Sequence, residues 1–386
     1  MSGRRPGAGV GAHLYGVHMP PPGARGSAAG PVGGPGWTHA AEGDGMDDAG
    51  RTAYEPLGQD PEPASVRRVT FVPFFPGGLA GAVRGGDGMV RLPSGEVLPG
   101  EDWILDTAAR VPLETAGYYR QRVHPFAWDA GQQRLYAWLD GDRYRGRRPH
   151  AADADLVVAD AGTIAGMLPQ GPERRAVLDA ARSFREQDDA SYFADNLRLL
   201  EPAYLRATTP EGGSGFGREP EQWRARRSMV VEALHKDGTF LDVGCANGLL
   251  MDSVRRWAAE RGRVIEPYGV DFAPRLVELA LRRLPRWAGR LAVGNALDWR
   301  PADGGRFTFV HTLADCVPER RLGDLVRRLL AELVEPGGRL LVSVYQAEGG
   351  TAPTAAERLA ALGVPVGGSA SGTGPERTAT TAWVDA

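Results

Sequence analysis

Thr239-Phe-Leu-Asp-Val-Gly-Cys-Ala-Asn-Gly248 holds the most informative spacing in the chain. Residues 239–242 read as a buried strand, a turn of small residues follows, and residues 249–261 repeat with the period of an amphipathic helix. A strand that delivers a glycine turn into a helix N-terminus suits a nucleotide, because backbone N–H groups converge there and no Cβ blocks the approach. The spacing selects among nucleotides. A dinucleotide fingerprint needs Gly-x-Gly-x-x-Gly, but counted from Gly244 the next two glycine places hold Ala246 and Leu249. The pattern present is Asp242-x-Gly244-x-Ala246-x-Gly248, which disfavours a dehydrogenase.

Downstream, strands and helices alternate. Strand candidates lie at 265–271, 290–293, 307–311 and 339–345, with helices expected over 274–283 and 321–333. Alternation of this kind implies a parallel sheet with helices on both faces and a ligand at the carboxyl ends of its strands. Asp271, Asn295, His311 and Asp315 all follow such ends. Asp271 stands where a carboxylate can accept both hydroxyls of a ribose. A helix over 355–362 and a last strand over 377–384 follow, and 363–375 reads as a loop with room for at most a short strand.

The order of these elements, with the turn Pro336-Gly-Gly before the fifth strand, resembles class I S-adenosylmethionine-dependent methyltransferases, whose first motif is Asp/Glu-x-Gly-x-Gly-x-Gly. The match covers residues 226–386 and implies a Rossmann-like α/β domain that binds S-adenosylmethionine. Gly244, Ala246 and Gly248 would let the backbone approach the methionine and ribose parts. Asp242 would orient that turn or the donor's ammonium. The resemblance further implies that Phe272 packs on adenine and that Asn295 and Ala296 contact its ring edge. Methyl transfer is an in-line displacement, helped by removal of a proton where the nucleophile is a hydroxyl or a neutral amine. His311 and Asp315 are the candidates for that task; a strand-end histidine satisfied by backbone is the plainer account of His311. Cys245 and Cys316 suit small buried fillers.

Residues 1–64 are crowded with Gly, Pro and Ala and are expected to be disordered; Met46 is an alternative start. Residues 65–165 suggest a small α+β domain. Within it Gly95-x5-Glu101, then Arg110-x3-Glu114-x2-Gly117, resembles the Nudix box, Gly-x5-Glu-x7-Arg-Glu-x-x-Glu-Glu-x-Gly. One extra residue precedes Arg110, Val111 and Thr115 stand at two glutamate places, and Pro112 interrupts the helix. Diphosphate hydrolysis needs Mg2+ on oxygen ligands, and Glu101 with Glu114 is near the minimum. A degenerate, structural or ligand-sensing Nudix-like domain is expected. Residues 166–225 read as a helical linker or lid of the methyltransferase, with a continuous helix over 173–200. In the glycine loop 212–217, Phe216 is a candidate to close the cofactor pocket.

At 386 residues the chain has room for two domains and a tail. It is 42% hydrophobic and 24% charged with a net charge of −3, which marks neither a nucleic-acid surface nor an acidic tail. Its basic residues are arginines apart from Lys236. Two cysteines are too few for a disulfide framework or a zinc site. No apolar run approaches the roughly 20 residues of a membrane span, and no signal peptide is recognisable, so a cytoplasmic protein is expected. No Asn/Asp-Pro-Pro-Tyr/Phe signature follows the fourth strand, and no basic patch with interleaved aromatics marks RNA or DNA. These features favour a small-molecule methyl acceptor. A bifunctional Nudix hydrolase and methyltransferase, or a non-catalytic S-adenosylmethionine sensor, are the alternatives.

Overall fold

The computed structural model describes residues 54–57, 61–75, 77–101, 103–143, 155–214, 220–347, 352–374 and 377–386. The expectations for Met46, Phe216 and most of the 1–64 tail lie outside them.

The first sheet is mixed. It comprises β1 (Glu55–Pro56), β2 (Arg68–Phe75), β3 (Leu79–Arg84), β4 (Val90–Arg91), β5 (Ser94–Glu96), β6 (Tyr118–Asp129), β7 (Arg134–Arg143) and β8 (Asp155–Ala159). Its order is β1-β6-β7-β2-β3-β4, with β5 on β2 and β8 on β3. Strand β2 is buried at all but its first position, because helices cover both faces. Its Phe71 packs in the core of α1 (Ala108–Ala116), and its Val72 and Phe74 pack against Val177, Ala180 and Ala181. Those three alanine and valine positions lie on α3 (Pro172–Glu186), which follows α2 (Ala161–Met167).

Three expectations are corrected here. Residues 54–57 are ordered: Tyr54 is buried, β1 pairs with Trp128 and Ala127 of β6, and the Leu57 N–H donates to Phe126. The helix over 173–200 is two helices, because the chain turns at Gln187 and Asp188 caps α4 (Asp189–Arg206) by accepting the Ser191 N–H at 2.7 Å, a contact worth about 1 kcal/mol. Helix α3 therefore belongs with the first sheet and is not a lid of the second. Pro112 does not break α1, which runs through it and continues directly from a π-helical turn at Trp103–Thr107.

The second sheet has the order β11-β10-β9-β12-β13-β15-β14. Its strands are β9 (Gly238–Val243), β10 (Ile265–Asp271), β11 (Leu291–Val293), β12 (Phe307–Leu313), β13 (Val334–Ala347), β14 (Gly368–Gly374) and β15 (Arg377–Asp385). The first five are parallel, β15 runs antiparallel to β13, and β14 to β15. The helices are α5 (Pro220–Arg227), α6 (Leu249–Ala259), α7 (Pro274–Arg283), α8 (Leu322–Arg328) and α9 (Ala355–Ala361). This is the doubly wound α/β architecture expected from the alternation. Its direction reverses between β9 and β12, which places a crevice at their carboxyl ends. The closing hairpin, expected to be abbreviated, is complete: β14 pairs with β15 along seven residues.

The two sheets share one core. It runs from Phe71, Tyr118 and Leu135 through Tyr192, Leu199 and Leu200 of α4 to Val243, Val270 and Phe272. Among the described residues no helix is long and apolar enough to cross a membrane.

Candidate functional site

The turn after β9 is built from left-handed residues. Gly244, Ala246 and Gly248 have φ of 86°, 46° and 74°. At Gly248 the requirement is steric as well, since a Cβ there would meet Leu284 Cδ1 at 2.7 Å. Asn247 stitches the turn: its Oδ1 accepts the Leu249 N–H at 3.1 Å, and its Nδ2 donates to the Pro210 carbonyl at 2.7 Å.

Asp271 hangs beneath this turn. One carboxylate oxygen accepts the Ala246 N–H at 2.8 Å and the other the Ala273 N–H at 2.9 Å. A carboxylate offers about four acceptor positions, more than the N–H groups of Ala246, Ala273 and Phe272 fill. Burial pushes the Asp271 carboxyl up to about 6, against the pull of the Ala273 and Ala246 N–H groups. The cleft over Asp271 is walled by Ala246, Phe272, Ala273 and Leu276 on one side and by Asn196, Leu200, Glu201 and Tyr204 of α4 on the other. A second cleft lies across the turn, lined by Asp242, Gly244, Cys245, His311, Arg227 and Tyr345.

Asn295 follows β11, where the Gly294 N–H donates to the Asp271 carbonyl at 2.8 Å. Asn295 Oδ1 is used by its own loop, accepting the Leu297 N–H at 2.8 Å. Ala296 is buried, and its carbonyl accepts from Arg328 at 2.8 Å. Neither residue lines the cleft over Asp271, whereas Phe272 does.

No family model matches this chain, and no curated protein does. Solved structures do. The chain is similar to the 1,6-didemethyltoxoflavin-N1-methyltransferase of Burkholderia thailandensis, with 18% identity over 51% of this chain and 91% of that one and a TM-score of 0.37. It is similar to the magnesium protoporphyrin IX methyltransferase of Synechocystis, at 14% identity, 51% and 98% coverage and a TM-score of 0.36. A third is a SAM-dependent methyltransferase of Aquifex aeolicus, at 14% identity, 43% and 94% coverage and a TM-score of 0.32. At these scores the chemistry rests on this chain's own residues.

His311 differs from both accounts of it. It lies inside β12, not at its end, and is 1% exposed. Its Nδ1 pairs with Asp242 Oδ1 at 2.9 Å and its Nε2 with Ser343 Oγ at 3.0 Å, and Ser343 continues to Thr381 at 2.7 Å. Side chains, not backbone, satisfy it. With both nitrogens engaged, His311 fixes the Asp242 carboxylate and is not an open base.

Asp315 sits in the short turn Ala314–Cys316 just past β12 and is half-buried. Its carbonyl accepts the Tyr192 hydroxyl of α4 at 2.8 Å. Burial pushes its carboxyl up to about 6, opposed by Arg358, Arg122 and Arg227. The neighbouring Cys316 Sγ donates to the Val243 carbonyl at 3.4 Å, which puts this turn directly beside the one after β9. Both cysteines are buried, and burial pushes both thiols up, as fits fillers.

Glu101 and Glu114 do not fit a Mg2+ site. Glu101 accepts from Arg110 Nε at 2.6 Å, Arg110 Nη2 and Thr107 Oγ1 at 2.8 Å, and the Leu98 N–H at 3.1 Å. These four donors already answer its charge. Glu114 also pairs with Arg110. The hydrogen bond from Arg110 holds the Glu101 carboxyl down at about 2. The loop and helix form an ion-pair clamp.

Glu201 and Tyr204 of α4, over Asp271, and the cation Arg227 were not among the expected site residues. Arg227 closes an arginine-rich helix, Arg224-Ala-Arg-Arg227, where composition conceals it. Residues 196–204 show an amphipathic pattern that any core could satisfy.

Proposed function

We propose that this chain is an S-adenosylmethionine-dependent methyltransferase acting on a small-molecule acceptor, with a structural N-terminal unit. The observation that carries this is the buried Asp271 carboxylate. It is tied to the left-handed turn after β9, lines a cleft, and stands at the carboxyl end of the neighbouring strand β10. That arrangement suits a vicinal diol beside a close-approaching backbone.

Bound there, the donor supplies a methyl group on a sulfonium sulfur. Asp271 takes the ribose hydroxyls, Phe272 packs beside the base, and Gly244 to Gly248 let the backbone approach. Asp315 accepts the proton that a hydroxyl or amine acceptor loses as its new bond to carbon forms. His311 acts at one remove, by orienting Asp242.

Calorimetry with S-adenosylmethionine tests this. Binding in a one-to-one ratio that is lost in Asp271→Ala is expected. A folded wild-type protein that gives no heat at ligand concentrations up to about 1 mM, the upper end of ordinary substrate constants, would overturn it.

A further inference from the structure

A cleft of about 470 Å³ opens in the N-terminal unit, between β1 and β6 on one side and α3 with the start of α4 on the other. That size lies within the roughly 300–1,000 Å³ of ordinary small-molecule sites. Tyr54, Pro56, Pro125 and Phe126 give it flat walls. The Tyr54 hydroxyl is already used, donating to Asp179 at 2.7 Å, so its ring contributes carbon. His124 lines the same cleft, and its side chain is 18% exposed. Its ring stacks on Trp138, with centroids 4.8 Å apart and planes inclined by 19°. Its Nδ1 pairs with Asp195, whose carboxylate also accepts from Gln187 Nε2 at 3.1 Å and Arg198 Nη2 at 2.9 Å. Nε2 has no hydrogen-bond partner among the described residues.

We propose that this cleft binds a small planar aromatic molecule bearing a hydroxyl group, and that His124 Nε2 is the hydrogen-bond partner of that hydroxyl. The site shares no lining residue with the clefts over Asp271 and beside Gly244, and it does not rest on the methyl-donor function proposed above. Flat walls select a flat ligand, because a planar ring gains contact along its whole face. The rim charges select against an ion. Arg175 is matched by Asp179 at 3.3 Å and lies over the Tyr54 ring, and Arg182 and Glu186 stand one helical turn apart on α3. Charges that cancel in pairs leave little net field to attract a charged ligand. Polar discrimination then falls to His124. Its pairing with Asp195 commits Nδ1 and so fixes which nitrogen is left over. A hydroxyl suits Nε2, since it donates to a neutral imidazole and accepts from a protonated one. An aromatic ligand without a hydroxyl would displace water from Nε2 and return nothing.

Calorimetry on the full chain tests this with 2-naphthol and with 2-methoxynaphthalene, which keeps the rings and the oxygen but has no O–H. At about pH 8, where an ordinary imidazole is neutral, wild type should bind 2-naphthol in a one-to-one ratio. It should bind the ether about tenfold more weakly, the loss expected when an acceptor stripped of water finds no donor. His124→Phe keeps a flat ring beside Trp138 and leaves Asp195 its Gln187 and Arg198 partners. It should bring 2-naphthol down to the affinity of the ether and leave the ether within about twofold. Ser191→Trp, at an exposed position lining the cleft, keeps the N–H that Asp188 caps and should remove binding of both probes by filling the space. Should His124→Phe fail to fold, the comparison of the two probes and Ser191→Trp still decide. Failure of 2-naphthol to bind wild type at up to about 1 mM, equal affinity for the two probes, or undiminished binding in Ser191→Trp would overturn the assignment. Displacement of 2-naphthol by S-adenosylhomocysteine would overturn it as well, by placing the probe in the donor cleft.

Discussion

Donor binding should depend on pH through Asp271, and the size of the effect follows from its burial. With its carboxyl at about 6 in the free protein, the group is almost fully ionised at about pH 8 and about one-tenth ionised at about pH 5. Ribose hydroxyls donate to the anion, so binding selects the ionised form. Apparent affinity should therefore fall about tenfold between about pH 8 and about pH 5, or ~1.4 kcal/mol. Near pH 6 about half a proton should leave the protein per ligand bound. Calorimetry of S-adenosylhomocysteine in two buffers of different ionisation enthalpy measures both quantities without turnover. Asp271→Asn should bind weakly and almost independently of pH over this range. Asp315 also titrates near 6, so the experiment is repeated in Asp315→Asn, which should keep the slope. A flat affinity profile in wild type, or a slope that vanishes with Asp315 instead, would refute the placement of Asp271 against the ribose.

In turnover, kcat should fall below about pH 6 as Asp315 takes up its proton, and Asp315→Asn should lower kcat at all pH while leaving donor affinity within about threefold; an unchanged rate removes it from the chemistry. His311→Ala removes the imidazole that holds buried Asp242 and leaves Ser343 with Thr381 alone; it should cost about 2–3 kcal/mol, read as a lower Tm and weaker donor binding. Glu101→Gln should cost about 1 kcal/mol near neutral pH, with unchanged donor affinity. The Glu101 carboxyl is held below its ordinary 4.5, so its contribution is present above that value and lost as pH falls toward about 2; the stability gap between wild type and Glu101→Gln should close over that window. Ala246→Gly exchanges left-handed strain for chain entropy and should shift stability by less than about 1 kcal/mol. Gly248→Ala should be destabilising by about 2 kcal/mol or more, because its Cβ meets Leu284.

The parallel sheet and the turn were legible because their signals are local. Strand β12 is buried at all seven positions, and Asp271, Gly244 and Gly248 lie at fixed distances along the sequence from strand ends. Strand β14 was hidden for a physical reason. Its residues Gly-Ser-Ala-Ser-Gly-Thr-Gly show no apolar alternation, because a Cβ at Gly372 would meet the Ala225 carbonyl at 2.5 Å and one at Gly368 would meet Trp383 at 2.3 Å. Close approach selects small residues, and small residues read as loop. Strand β1 escaped notice because two residues carry no period, and its pairing partner lies some seventy residues away on β6. The partner of an amphipathic helix is likewise not written in its pattern, so α3 and α4 could not be assigned to separate sheets from sequence.

Helix α4 lies between both sheets, and this orders events as the chain is made. Synthesis runs from the N-terminus, so the first sheet and α3 can assemble while the second sheet is still to come. At that stage Tyr192 lacks Asp315, and Leu200 and Tyr204 lack the strands and helix that bury them later. A nascent chain stalled before Gly238 therefore exposes an apolar stripe, with a preformed neighbour holding it in place. That stripe is a surface for chaperones, and equally a template on which β9 and β10 can collapse.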